Sequence, residues 1–149
     1  MTPLDFLFVL LCATAAAAAM QRLATARRRR ALARLAESMK MQYIAIDRFN
    51  LAARTCSVLP YPGAASLRVF DVIYETDGSR RRHLYTCEFG QGTIHSQFRR
   101  RCVAGFEEPA ASEGPIVHLI VAPESLSLPE QYRWTREQIS QIGDPAITA

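Results

Sequence analysis

The histidines and cysteines are the residues of this chain that could hold a metal or act as nucleophiles. Outside the N-terminal segment they are His83, His95, His118, Cys56, Cys87 and Cys102. Zinc ligands usually come as close pairs separated by roughly two to five residues. His83 and Cys87 have this spacing, but they fall in a predicted strand, where four residues span about 13 Å, too far for one ion. We therefore expect no metal and no other cofactor.

A cysteine–histidine nucleophile pair is the second chemistry that these residues allow, with Cys102 beside His95. No flanking residue indicates an activated thiolate. The glycines of residues 89–93 (FGQGT) join two predicted strands, whereas a phosphate-binding loop joins a strand to a helix. The sequence therefore predicts no catalytic residue. The cysteines are most simply small apolar core residues, and His118, inside an apolar segment, is expected to be buried and hydrogen-bonded.

Two runs of three arginines, at residues 80–82 and 99–101, are the most suggestive feature of the chain. On neighbouring strands, alternation would place Arg80 and Arg82 on one face, beside Arg100 or beside Arg99 and Arg101. Such a face could bind an anionic ligand or lipid head groups. Alternatively, the arginines are solvated and pair with the nearby acids Asp71, Glu75, Glu88, Glu107 and Glu108.

Nucleic acid is not an expected partner of these arginines. Proteins that bind single strands interleave aromatic side chains for base stacking, and only Phe98 lies near the second run. The charge balance points the same way, because residues 41–149 hold eleven bases and twelve acids, a net charge of −1. A nucleic-acid-binding domain should carry its basic excess itself.

The N-terminal segment decides where these residues work. Residues 4–21 (LDFLFVLLCATAAAAAMQ) form an apolar run with one acid, Asp5. A membrane-spanning helix needs about 20 mostly apolar residues, so residues 1–22 are predicted to be a membrane anchor helix in contact with the lipid bilayer. A cleaved signal peptide is the alternative, but it should begin with a basic region, and MTPLD contains no Lys or Arg.

A basic flank follows this anchor. Residues 22–40 contain seven bases and one acid, including the juxtamembrane block Arg27, Arg28, Arg29 and Arg30. Lys and Arg accumulate on the cytoplasmic side of short flanks. We therefore expect a single-pass protein of the cell membrane, with the N-terminus outside and the domain in the cytoplasm. The odd number of cysteines outside the anchor, with no close pairing, suits that reducing compartment.

Helical patterns continue beyond the anchor. Residues 23–40 are rich in helix formers, and Leu32, Leu35 and Met39 share one face, so one long rod is predicted. Residues 41–46 favour a short strand or an extended linker. Asp47 is suited to cap a helix over residues 48–58. Its predicted buried stripe is Phe49, Ala52, Ala53, Cys56 and Leu59.

A two-residue period then predicts a sheet. Strands are expected at residues 66–75 and 80–89, joined by a turn at Asp77-Gly78. Gly90 and Gly92 should turn the chain into a third strand over residues 93–106. A polar loop at residues 107–115 and a central or covered strand at residues 116–122 (IVHLIVA) follow. A weak helix over residues 130–142 and a tail at residues 143–149 complete the chain.

These elements predict an α+β fold: an N-terminal membrane helix, then a small antiparallel sheet of about four strands covered by a helix. The predicted organisation is an anchor at residues 1–22, a basic juxtamembrane helix at 23–40, one domain at 41–142 and the tail at 143–149.

The chain also resembles a set of uncharacterised small bacterial membrane proteins over roughly residues 41–122. The resemblance rests on Tyr43, on residues 47–51 (DRFNL) and 60–65 (PYPGAA), on residues 69–71 (VFD) with Tyr74, and on the strand at residues 99–101. It implies an N-terminal membrane helix carrying a small sheet-containing domain, and it implies no activity.

The function expected from the sequence is therefore a membrane-anchored cytoplasmic binding or scaffold module, with lipid and another protein as partners. A hydrolase-like enzyme at the membrane is one alternative. A nucleic-acid-binding domain, with the N-terminal run misread, is the other.

Overall fold

The computed structural model describes residues 2–93 and 96–143 as helices packed on a single antiparallel sheet. The helices are α1 (Pro3–Ser38), α2 (Leu51–Cys56) and α3 (Leu128–Ile142). The strands are β1 (Gln42–Ile46), β2 (Ala65–Asp77), β3 (Arg80–Thr93), β4 (Ser96–Pro109) and β5 (Ile120–Val121). The predicted α+β class is confirmed, with five strands in the order β1-β2-β3-β4-β5. His95 and most of the predicted tail lie outside the described residues.

Helix α1 is one continuous rod of 36 residues, about 54 Å long at 1.5 Å per residue. A capping box starts it: Asp5 N donates to Thr2 Oγ1, and Thr2 N donates to Asp5 Oδ2 at 2.8 Å. This bond explains the single acid in the apolar run. By length and composition α1 can span a membrane, and the apolar stretch of the helix is not buried in the protein.

The C-terminal part of α1 belongs to the folded core. Leu32, Leu35, Ala36 and Met39 are buried against the sheet. The helix ends in a Schellman motif, in which Lys40 adopts a φ of 57° and Met41 N donates to Ala36 O at 2.8 Å. Residues 32–39 of α1 therefore belong to the core of the domain, although the sequence predicts that the domain begins at residue 41.

The sheet has two covered faces. On one, which we call the α1 face, α1 and α3 pack on Ile73, Leu84 and Val103. On the other, the α2 face, α2 and the loops around residues 57–64 and 110–119 cover a second cluster that includes Tyr85, Phe89 and Phe106.

We name the two ends of the sheet by the course of α1. The near end is the one that the helix reaches first, where Arg28 of α1 contacts Phe70 and Asp71 of β2. The helix then leads to Gln42, which pairs with Tyr74 towards the far end. The far end is closed by the turn at Gly78-Ser79, where Gly78 has a φ of 57° as the predicted hairpin requires.

Several local predictions were wrong. Helix α2 begins at Leu51, and its buried residues Leu51 and Thr55 are not in the predicted stripe. Of that stripe, Phe49 and Leu59 pack partly buried against the core, whereas Cys56 is exposed. Asp47 still serves the helix, because its carboxylate accepts from Phe49 N at 3.0 Å and Ala52 N at 2.9 Å.

The sheet also differs in extent from the prediction. Gly90 and Gly92 do not turn the chain; they pair with Arg99 and Gln97 in a longer hairpin. Residues 107–109 extend β4 instead of starting a loop. The apolar residues 116–122 contribute only the short edge strand β5, whose Ile120 and Val121 pair with Gly105 and Ala104 of β4. His118 is consequently exposed rather than buried.

Candidate functional site

Arg80 and Arg82 lie on the α1 face at the far end of the sheet, where carboxylates surround them. Arg80 pairs with Glu107. Arg82 donates to Glu107 Oε2 at 2.6 Å and to Glu75 Oε1 at 2.7 Å. The hydrogen bond to Glu107 raises the pKa of Arg82, and the bond to Glu75 adds to this rise. At this end, each of the two guanidiniums is therefore matched by an acid of the same domain.

Arg99 and Arg101 lie on the same face at the near end and share one acid. Glu88 Oε1 accepts from Arg99 at 2.6 Å, and Glu88 Oε2 accepts from Arg101 at 2.8 Å. These two hydrogen bonds, from Arg101 first and Arg99 second, lower the pKa of Glu88. Two bases on one carboxylate leave a positive excess at this end.

The two arginine pairs do not form one site. In the β-ladder Arg82 stands opposite Glu107, and Arg101 stands opposite Glu88. These positions are six residues apart along β3, or about 20 Å. The predicted anionic-ligand face is thus divided into a balanced far end and an unbalanced near end.

A buried cluster on the α2 face contains His83, which is the one enclosed histidine among residues 2–93 and 96–143. His83 lies between the rings of Phe49 and Phe106, and its Nε2 is 3.0 Å from Glu108 Oε1. Glu108 also pairs with Arg54. Burial lowers the pKa of His83 to about 4. The imidazole is therefore neutral at pH 7, and its Nε2–H donates to Glu108.

This cluster stabilises the fold rather than offering a reactive site. Burial alone would raise the pKa of Glu108, but the hydrogen bonds from Arg54 and His83 outweigh it, and that pKa is lowered. His83 is fully enclosed, so no substrate reaches it. Arg54 also donates to Gly114 O at 2.9 Å, which ties α2 to the loop that follows β4.

The cysteines show no arrangement for catalysis in the described residues. Cys87 and Cys102 stand opposite each other on β3 and β4, buried and free. A hydrogen bond with Cys102, together with burial, raises the pKa of the Cys87 thiol. No group of three or more His, Cys, Asp or Glu side chains in the described part of the chain is placed to hold a metal ion.

A concave basic surface lies at the near end, where α1 meets the sheet. We call this surface the basic cleft; it has a volume of about 390 Å³. Its arginines are Arg28, Arg29, Arg68 and Arg101, and its acids are Asp47, Asp71 and Glu88. Ala45, Ile46, Val69 and Phe70 complete the lining.

Asp71 forms the floor of the basic cleft and is held there under strain. A bulge in β2 between Phe70 and Ile73 places it at a φ of 53°, a conformation that costs a non-glycine residue of order 1 kcal/mol. Asp71 Oδ1 accepts from Tyr43 OH at 2.7 Å, and its main-chain oxygen accepts from Tyr132 OH at 2.6 Å. This one residue therefore joins β1, β2 and α3.

Arg28 connects the same floor to α1. Its Nη2 lies 3.0 Å from Asp71 Oδ2, and its guanidinium stacks 5.2 Å from the centre of the Phe70 ring. Arg101 approaches that ring as well, at 5.5 Å. The Nε of Arg28 is buried and makes no hydrogen bond with the described residues. Arg28 therefore ties α1 to Phe70 and Asp71 of β2.

Arg29 and Arg68 are the unbalanced charges of the basic cleft. Neither forms an ion pair with any described residue. The three acids of the cleft are already engaged, by Arg28, by Arg99 and Arg101, and by the backbone N–H groups that bind Asp47. Both of these arginines are exposed, so their donors are accessible to a ligand.

The sequence predicted this site only in part. It assigned Arg28 and Arg29 to the basic flank and Arg101 to the sheet face, and it did not select Arg68. No local pattern distinguishes Arg68 from a solvated arginine. Only the pairing of β2 with β1 and β3 brings it to the cleft.

No protein-family model, curated protein or solved structure matches this chain. A function is therefore argued from the geometry of the basic cleft and from the course of α1.

Proposed function

We propose that this protein is a single-pass membrane protein whose cytoplasmic domain is a binding module held close to the bilayer. The observation that carries the proposal is the continuity of α1. Its apolar N-terminal part is exposed, and its C-terminal turns are built into the core of the domain. A helix that is continuous across this boundary holds the domain at a fixed distance from the span, as a flexible linker would not.

The charges around the span support a cytoplasmic domain. Seven bases and one acid follow the apolar run in residues 22–40, and no Lys or Arg precedes it. Bases close to a span are retained on the cytoplasmic side.

Binding is favoured over catalysis by the side chains of the cleft. Among its lining residues there is no cysteine, serine, threonine or histidine, and each carboxylate already accepts hydrogen bonds or pairs with an arginine. A surface with unengaged guanidinium donors suits the capture of an anion, to which arginine offers several N–H groups in a fixed geometry.

Reporter fusions at Ala149 test the proposal. A reporter that fluoresces only in the cytoplasm should give signal there, and an enzyme active only outside the cytoplasm should be silent. Extraction with carbonate should leave the full chain in the membrane fraction. A silent cytoplasmic reporter with an active external one, or release of the chain by carbonate, would overturn the proposal.

A further inference from the structure

The basic cleft has the chemistry and the position to receive one class of ligand. Resting on the proposed function, we propose that it binds the phosphate of an anionic phospholipid head group, with Arg29 and Arg68 as the principal donors. Arg28 and Arg101, which both lie over the Phe70 ring, add their charge to the site.

The charge of the cleft selects an anion. Four guanidiniums line it against three carboxylates, and each of those carboxylates is already bound within the domain. Phosphate oxygens accept the paired N–H groups of arginine at short distance. A cationic or neutral ligand would leave Arg29 and Arg68 unmatched.

The distance from the span selects a lipid. Arg28 and Arg29 follow Gln21, the last residue of the apolar run, by seven and eight residues on an unbroken helix, or about 10–12 Å. The head-group layer extends roughly 5–8 Å beyond the hydrocarbon core. The arginine positions thus lie about 4 Å past this layer, and their long side chains can extend back towards the phosphates of the same leaflet without any movement of the domain.

Exposed apolar side chains at the near end fit the same surface. Ile46, at the rim of the cleft, is 60% exposed, and Phe98, on the β3–β4 hairpin, is 54% exposed. That hairpin extends past Arg101 towards Thr93, away from the far end. Exposed apolar side chains such as Phe can enter the head-group boundary of a membrane, so Phe98, on the α2 face of the hairpin, can rest among head groups while the arginines on the α1 face bind phosphate.

Lipid retention by the full chain tests the inference. The protein would be purified in a non-ionic detergent and titrated with dioleoylphosphatidylglycerol, with dioleoylphosphatidylcholine and with sn-glycerol 3-phosphate. Bound lipid would be counted by native mass spectrometry. We expect phosphatidylglycerol to be retained in preference to phosphatidylcholine, and glycerol phosphate to bind far more weakly than either lipid.

The decisive variant is Arg29→Gln with Arg68→Gln, and its matched control is Arg133→Gln with Arg136→Gln on α3. Both pairs remove two charges and break no ion pair among the described residues. The cleft variant should bind phosphatidylglycerol roughly tenfold or more weakly, since each base near a lipid surface contributes about 1 kcal/mol. The control should bind as the unaltered protein does, and both variants should keep the same melting temperature.

Each remaining outcome overturns the inference. Equal loss in the cleft variant and the control would show a non-specific charge effect. Glycerol phosphate binding as tightly as the lipid would make the ligand a soluble phosphate. A chain that carbonate does not extract, but that shows no preference for the anionic lipid, would refute the lipid site while leaving the proposed function intact.

Discussion

The near end and the far end of the sheet carry similar arginine runs on the same face, yet they present different surfaces. At the far end Arg80 and Arg82 are matched by Glu75 and Glu107 on adjacent strands. At the near end Glu88 serves two arginines. Helix α1 and β2 then add Arg29 and Arg68, which form no ion pair with the described residues, although Glu88 stands opposite Arg68 in the sheet.

This difference shows that charge composition does not identify a binding surface, because neighbouring strands decide which charges are neutralised. Exposed ion pairs contribute about 0–1 kcal/mol to stability, so the far end gains little from its pairing. What the pairing changes is the capacity to bind an anion from outside.

The largest loss of stability should come from removing the part of α1 that crosses from the near end to the far end. A fragment of residues 24–149 should fold, whereas a fragment of residues 41–149 should not. The shorter fragment loses Leu32, Leu35 and Met39, and burying each such side chain contributes roughly 1.5–3 kcal/mol, a large share of the 5–15 kcal/mol that is typical of a domain. Thermal unfolding followed by circular dichroism would decide; a cooperative transition in the shorter fragment would contradict the packing described for α1.

Substitution of Asp71, at the floor of the cleft, should cause the next largest loss of stability. Asp71→Ala removes the partner of Arg28 and Tyr43 at a φ that alanine disfavours, and it should cost roughly 3 kcal/mol of unfolding free energy. Asp71→Asn keeps an acceptor for Tyr43 and tolerates the positive φ, so it should cost clearly less. Denaturant titration measures both, and equal costs would show that neither the backbone strain nor the Tyr43 bond matters.

A smaller loss of stability is expected when the pH is lowered, because unfolding exposes His83, at the far end, to protonation. Its pKa is about 4 in the folded protein and about 6.5 in an unfolded chain, so the unfolded state binds more protons between these values. The unfolding free energy should therefore fall as pH decreases, by about 1.3 kcal/mol from pH 7.5 to 5.5.

His83→Phe is the control for this titration, because it keeps an aromatic ring between Phe49 and Phe106 and removes the ionisable group. Stability of the variant should be nearly flat between pH 7.5 and 5.5. A flat profile in the unaltered protein would mean that His83 is less enclosed than described here.

The elements with strong local signals could be predicted from the sequence. Alternation and the Asp77-Gly78 turn indicated β2 and β3. The shared face of Leu32, Leu35 and Met39 indicated the continuation of α1, but the sequence did not predict that this face packs into the core. The apolar segment around His118 does not form the predicted covered strand, because a short apolar run does not reveal whether a neighbouring strand is available to pair with it.

The basic cleft required long-range information. The bulge at Asp71 follows from the register of β2 against β3, and its strain is stabilised by contacts from three other elements. Arg68 reaches the cleft only through that register. Neither residue stands out in the sequence, where a single aspartate and a single arginine resemble many surface residues.

The position of the two ends relative to the bilayer tests the central claim most directly. A fluorophore would be attached to Ile46→Cys or to Ser79→Cys in the full chain carrying Cys12→Ala and Cys56→Ser, reconstituted in vesicles with nitroxide-labelled head groups. We expect strong quenching at position 46, near the cleft, and little at position 79, in the far-end turn. Equal quenching at the two positions, or stronger quenching at position 79, would contradict a cleft held at the head-group layer by α1.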